Sequence, residues 1–325
     1  MRRSTAVFGV AALACALLAP TSAEAAIGDP VAAVRRLLAA QLTAKVTEEG
    51  HVSLGSRTRV VNHTAMSFQY TFKRAGSIQL GREGVVASDL GRLLRFERRD
   101  SVDILKDDAA NGDPVAKSLL VQTRPHRSVG VNGRLYTTGS LYAPALPEGK
   151  TWALRGAVAN GGAFTDQVVN IFEPQTLKTL LSDTYFKKFI KGMGYLDSAG
   201  QEHKDVMLYK GKITFADLYA VSPTFQALAG QEPDATFAPA FVWWWLWTDK
   251  DGKPLRFESV WDTWVTGKVH QPPRAEGSAV TDYLAWRPRI TIKPPKSSLV
   301  AKVEGPANSL PEFDDAMEAI RDRRR

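Results

Sequence analysis

Over most of its length the chain alternates apolar and polar residues with the two-residue period of half-buried β-strands. The densest such stretch is residues 241–267, FVWWWLWTDKDGKPLRFESVWDTWVTG, which reads as a long β-hairpin. Phe241, Trp243, Trp245 and Trp247 alternate with Val242, Trp244, Leu246 and Thr248, and successive strand residues point to opposite faces. The alternation predicts that Phe241, Trp243, Trp245 and Trp247 share the greasy face that the rest of the chain covers. Asp249-Lys250-Asp251-Gly252-Lys253-Pro254 is turn chemistry, with Gly252 free to take positive φ and Pro254 opening the return strand. The return strand sets Leu255, Phe257, Ser259, Trp261 and Thr263 on one face, and Arg256, Glu258, Val260, Asp262 and Trp264 on the other. A sheet this apolar has to cover its greasy face with helices, a ligand or both.

The remaining elements can be read as that cover. Asp29-Pro30 pairs a capping Asp with a first-turn Pro. Val31, Val34, Leu37, Leu38 and Leu42 then recur at helical spacing, predicting an amphipathic helix to about Thr47. Short strands follow over residues 57–64, 65–74, 77–80, 84–87, 90–97 and 102–105, while 115–122 fits either a strand or a helical turn. Residues 127–131 and 134–138 flank Asn132-Gly133, a strong hairpin signal. Residues 142–150 read as a loop, 151–154 as a strand, and the glycine-rich 157–162 as a flexible loop. Glu173-Pro174 starts a helix through Thr176, Leu177, Leu180 and Leu181. Residues 197–204 form a polar turn and 204–213 a strand. A helical stretch over 214–228 is broken by Ser222-Pro223. Beyond the tryptophan hairpin come strands at 279–286 and 289–292, Pro294-Pro295, and a helix at 311–320 ending in an arginine tail. The pattern is many antiparallel strands, a helix in front and a helical insertion in the middle, an α+β chain. There is no visible repeat and no proline-rich linker, so residues 26–309 read as one domain and 310–325 as a C-terminal helix and basic tail.

Residues 1–25 have the form of a secretory signal. Arg2 and Arg3 make the positive start, and residues 6–18 are apolar but too short to span a bilayer stably. Ala23-Glu24-Ala25 is an A-x-A cleavage site, so the mature chain is expected to begin at Ala26. The single cysteine, Cys15, sits in a poor lipoprotein box, and lipid anchoring there is not expected. The net charge of +8 suits an anionic envelope surface. No arginine-rich block lies beside stacking aromatics on a recognisable module, so nucleic acid is not expected as a partner.

Catalytic and metal chemistry is hard to assemble from these residues. His51, His63, His126, His203 and His270 lack ligand spacing. There is no G-x-S-x-G elbow, and Gly192-Met193-Gly194 is a lone G-x-G. Asp107, Asp108 and Asp113 around Asn111-Gly112 lack the closing Glu of a calcium loop. Asn62-His63-Thr64 fits a glycosylation acceptor. The expectation is a non-enzyme with no cofactor and no metal. The tryptophans remain, seven of the eight falling between Trp243 and Trp286. Each one alone suits a core; together they suit the wall of a cavity for a flexible apolar ligand.

The ordered series of short motifs resembles the actinobacterial secreted and lipid-anchored proteins of the LolA-like, LppX/LprG-like class. GREGVVASDL (81–90), LPEGKTW (146–152), VMLYKGKITFADLYAVSP (206–223), LWTDKDGKPLRF (246–257) and DYLAWRPRITIKPP (282–295) are similar to motifs of that class in the same order. The resemblance implies a strongly curved antiparallel sheet, an open half-barrel, with helices across its concave face and, in some members, lipid between the two. On that basis Phe241, Trp243, Trp245, Trp247, Phe257, Trp261, Leu38 and Leu177 are the expected hydrophobic lining. The expected function is a secreted envelope protein that binds or carries a lipid or other hydrophobic small molecule. The alternative is an envelope interaction or sensor module with a filled core. A carrier needs a cavity of several hundred Å³ beneath its helices; a solid core there favours the module.

Overall fold

The computed structural model describes residues 28–61, 64–97, 99–112, 120, 123–139, 143, 146–164, 167–235, 237–262 and 274–303. Residues 1–25, expected as a secretory signal, Asn62-His63, Asp113, most of 115–122 and the helix expected at 311–320 lie outside them.

One 12-stranded sheet runs through the described chain in the order β12-β6-β5-β4-β3-β2-β1-β11-β10-β9-β8-β7. The strands are β1 (Thr43–Val61), β2 (Thr64–Leu80), β3 (Val85–Phe96), β4 (His126–Val131), β5 (Arg134–Gly139), β6 (Trp152–Ala157), β7 (Thr184–Leu196), β8 (Glu202–Thr214), β9 (Phe241–Thr248), β10 (Pro254–Asp262), β11 (Arg274–Arg287) and β12 (Val300–Lys302). Neighbours are antiparallel, except that β12 lies parallel to β6. The α+β expectation therefore stands. Among the described residues five helices accompany the sheet: α1 (Pro30–Ala39), α2 (Arg99–Ala110), α3 (Pro174–Ser182), α4 (Phe215–Val221) and α5 (Pro223–Ala229).

The start of α1 is as the sequence predicts. The Asp29 carboxylate accepts from the Val31 and Ala32 amides at 3.0 and 3.3 Å. Val31, Val34, Leu37 and Leu38 are buried. The helix stops at Ala39, well short of Thr47. Gln41 takes φ 50°, and Thr43, Val46 and Thr47 are β-branched residues that suit the strand they enter. The predicted strands at 57–64 and 65–74 are parts of the longer pair β1 and β2, and those at 84–87 and 90–97 are the single strand β3. Residues 102–105, expected as a strand, lie in α2, where Leu105 is fully buried and packs beside Phe96.

The turns follow their chemistry. Asn132 and Gly133 take φ 53° and 68°, both positive as a type I′ turn requires. In the tryptophan hairpin Gly252 takes φ 81°, and Asp249 accepts from the Asp251 and Lys253 amides. The segment expected as a strand at 289–292 is instead an extended strap across the outer face of the sheet. The Ile290 amide donates to Thr43 Oγ1 and the Ile292 amide to Gln79 Oε1. Ile292 and Val300 pack onto Val129, Val131 and Tyr136, and β12 then closes against β6.

Candidate functional site

The inner face of the sheet meets α1, α3, α4 and α5 in one core. Two cross-strand rows run through it into the neighbouring cluster of Tyr70, Phe72, Leu94 and Ala279. Gly211, Trp244, Ser259, Ala279, Gly50 and Phe72 stand in register from β8 to β2. In the next row, Ile213, Val242, Trp261, Gly277, Val52 and Tyr70 do the same. Trp244, Trp261 and Phe72 each lie over a glycine on the adjacent strand. A Cβ on Gly211 would fall 2.2 Å from Trp244, one on Gly277 2.6 Å from Trp261, and one on Gly50 2.2 Å from Phe72. Helices then seal the rings: Trp244 has no solvent exposure, and Phe257, Trp261, Leu38 and Leu177 are all buried.

This arrangement corrects the predicted face of β9. Val242, Trp244, Leu246 and Thr248 are its buried residues, while Phe241, Trp243, Trp245 and Trp247 face the other way. Across the strands, Trp243 and Trp245 stand beside Lys212 and Lys210 of β8, and Trp245 and Trp247 beside Glu258 and Arg256 of β10. A face carrying those charges cannot go into the core. On the return strand Phe257, Ser259 and Trp261 share the buried face as predicted, opposite Leu246, Trp244 and Val242, while Leu255 sits half-buried at a register shift and Thr263 and Trp264 lie outside the described residues. Of the eight expected lining residues, the structure gathers Phe257, Trp261, Leu38 and Leu177 in the core and places the other four outside.

Beneath the helices, polar groups are paired. Glu48 and Arg74 are directly opposite each other on β1 and β2, and the guanidinium meets the carboxylate at 2.6 and 2.8 Å. Arg74 also donates to the Ala163 carbonyl, and Thr281 and Gln167 donate to Glu48. The cavity beside this pair measures about 20 Å³ and is lined by residues including Val46, Ile78, Leu90, Phe164 and Tyr283. That is room for about one water. Burial drives the Tyr283 hydroxyl far above its ordinary pKa, helped by the Glu48 and Asp282 charges. A second polar knot centres on Glu173, which accepts from Thr176, Ser222 and both the amide and hydroxyl of Thr224 at 2.5–2.9 Å. It ties the start of α3 to that of α5.

The 157–162 segment, expected as a flexible loop, is packed against the sheet. Gly161 and Gly162 are buried, in a short 3-10 turn Asn160–Gly162. Gly161 lies over the Ala87 backbone, and its carbonyl is so near Gly130 that a Cβ there would sit 1.8 Å from it. Ser88 donates to the same carbonyl. At the rim, an open depression of about 650 Å³ is bounded by Arg35, Leu38, Ala39, Arg82, Glu83 and Pro174.

Outside, β7 to β10 present aromatic rings between cations. Lys210 sits 5.0 Å over Phe186 and Lys212 4.7 Å over Phe241. Arg256 pairs with Asp282 through two contacts of 2.6 and 3.1 Å, and lies 4.4 Å over Tyr195. Tyr195 stacks on His203, which meets Asp197 at 2.9 Å. Burial alone would raise the Asp197 carboxyl, but the His203 hydrogen bond and the Gln201 and Ala199 amides outweigh it and hold the carboxyl below its ordinary value. Sequence reasoning missed β7 entirely. Its alternation is broken by three register shifts against β8, and its exposure on both faces leaves no period to read.

Among the described residues no group of three or more His, Cys, Asp or Glu side chains is placed to hold a metal ion, and no helix is long and apolar enough to cross a membrane. No protein-family model and no curated protein sequence matches the chain.

Proposed function

We propose that this chain is a secreted cell-envelope protein on a LolA-like scaffold, and that it works as an interaction module through its surface. Its interior serves stability. The observation that carries this reading is the filled core. Trp244 and Trp261 pack over glycines and Phe257 is buried in the same core, and the cavity beside the buried Glu48–Arg74 pair is about 20 Å³. A carrier of an acyl chain needs a chamber more than ten times larger. To open one here, α1 and α3 would have to lift off a fully sealed face. The secretory reading of residues 1–25 and the net charge of +8 support an envelope setting.

The carrier reading keeps one foothold. The open depression of about 650 Å³ between α1, α3 and the β2–β3 turn sets Arg35 and Arg82 beside Leu38 and Pro174, a mixture that suits an amphiphile lying on the surface. Native mass spectrometry of protein purified from its own host separates the two. The module reading expects no bound lipid, and unchanged tryptophan emission at saturating fluorescent fatty acid. One lipid per protein, with energy transfer from the core tryptophans, would sink it.

A further inference from the structure

Five of the eight large apolar side chains that stay exposed among the described residues belong to a single strand, β7: Tyr185, Phe186, Phe189, Met193 and Leu196. Exposures of 37–63 % mean that each presents much of its side chain to water. The same strand carries Lys187, Lys188 and Lys191 and no carboxylate. None of these three lysines has an ion-pair partner among the described residues. Of the nearby acids, Glu202 pairs with Lys204, Asp205 accepts from the Gly192 amide, Glu258 lies three strands in on β10, and Asp183 precedes the strand at an exposed position.

β7 is also an edge of the sheet. Its register against β8 distributes these residues to both faces. Phe186 and Lys188 share the outer face with Lys210 and Leu208, while Lys187 and Phe189 share the inner one with Tyr209 and Met207. The strand therefore offers aromatic and cationic side chains above and below its own line, with an unpaired backbone between them. Such an edge would invite another strand, but three register shifts and Gly192 at φ 78° break the ladder, and lysines on an edge discourage strand addition. A lipid–water interface satisfies all of these features at once. Headgroup water can solvate the free backbone groups, which hydrocarbon could not. Tyrosine and phenylalanine settle at that depth, and lysines reach anionic phosphates.

We propose that β7 docks edge-on at the surface of a bilayer containing anionic lipid. This rests on the surface-module reading above and names its partner. The lysines supply attraction and the aromatic side chains the shallow insertion, so binding requires anionic lipid and weakens with salt.

The test is co-sedimentation of the folded protein with vesicles of phosphatidylglycerol and phosphatidylcholine, against phosphatidylcholine alone. The wild type should bind the anionic vesicles and release at about 1 M salt, where screening is nearly complete. Replacing Lys187, Lys188 and Lys191 together by Gln should weaken the partition roughly a hundredfold, from about fivefold per lysine near an anionic surface. The same substitutions at Lys293, Lys296 and Lys302, toward the other edge, should leave it within about twofold, and Phe186→Ser with Phe189→Ser should weaken it at every salt concentration. All substituted side chains but Phe186 and Phe189 are lysines at exposed positions, and circular dichroism checks that each variant folds. Equal affinity for neutral and anionic vesicles, no vesicle binding, equal losses at the two edges, or self-association through β7 in place of vesicle binding would each overturn the proposal. These outcomes leave the filled-core reading intact, which co-purified or internally bound lipid would overturn.

Discussion

The contact of Trp244 with Gly211 makes a quantitative prediction. A methyl group on Gly211 would lie 2.2 Å from Trp244 Cζ2 and 2.5 Å from Cε2, well inside contact distance, and the ring has no exposed side toward which to retreat. Gly211→Ala should therefore carry an overpacking cost of about 1–3 kcal/mol. The backbone adds no strain, since Gly211 is not among the positive-φ glycines. Alanine in a strand should even return about 0.5–1 kcal/mol relative to glycine. Trp244→Phe removes the crowding part of the indole, and with it the Nε1 donor that is buried without a hydrogen-bond partner. In that background Gly211→Ala should be neutral or slightly stabilising. The double-mutant cycle should give a coupling of about 1.5–3 kcal/mol in favour of the pair. Urea unfolding followed by far-ultraviolet circular dichroism measures it, as shifts in midpoint at constant m. If Gly211→Ala costs the same in both backgrounds, within about 0.5 kcal/mol, the ring does not lie on the glycine and the account of the filled core fails.

Trp244→Ala should destabilise by about 3–5 kcal/mol, whereas Trp243→Ala, at a side chain 36 % exposed, should cost about 1 kcal/mol or less; equal costs in thermal melts would reverse the face assignment. Glu173→Ala strands the buried donors of Ser222 and Thr224 and should cost at least about 2–3 kcal/mol, with Glu173→Gln milder; denaturant midpoints of the two variants give the comparison. The Asp197 carboxyl is held below its ordinary value in the fold, so its contribution is present above the normal carboxylate range and is lost as pH falls through the lowered value. Melts of wild type and Asp197→Asn should therefore differ most near neutrality and converge toward acid; a gap that widens on acidification would contradict the hydrogen-bonded arrangement with His203.

Local chemistry was legible wherever a few adjacent residues settle it. Asp29-Pro30, Asn132-Gly133, Asp249–Lys253 and Ser222-Pro223 each carry their own cap, turn or break, and the structure uses all four. The face of β9 was not legible from β9 alone. Both alternating sets, F-W-W-W and V-W-L-T, are apolar enough to be buried, and ring count points to the wrong one. The information lies on its neighbours: Lys210, Lys212, Arg256 and Glu258 share a face with the three outer tryptophans. Placing Phe257 opposite Leu246 through the turn would have recovered it. The strap over 288–299 and the packed turn at Asn160–Gly162 are tertiary matters. Their backbones find partners on distant strands, at Thr43 and Gln79 for the one and Ser88 for the other, and no nearby residue announces that.

The strap also gives the molecule a direction. Leaving β11 near the middle of the sheet, it carries the chain to β12, the edge farthest from β7. Eleven inter-strand steps separate these edges, a path of up to about 50 Å along the sheet at the usual strand spacing. Val303, the last described residue, thus lies at one rim while the lysine-bearing strand occupies the other. A protein standing on its β7 rim would hold the β12 rim, with Val303, away from the support. The sheet would then act as a spacer between anchorage at one rim and whatever the β12 rim displays.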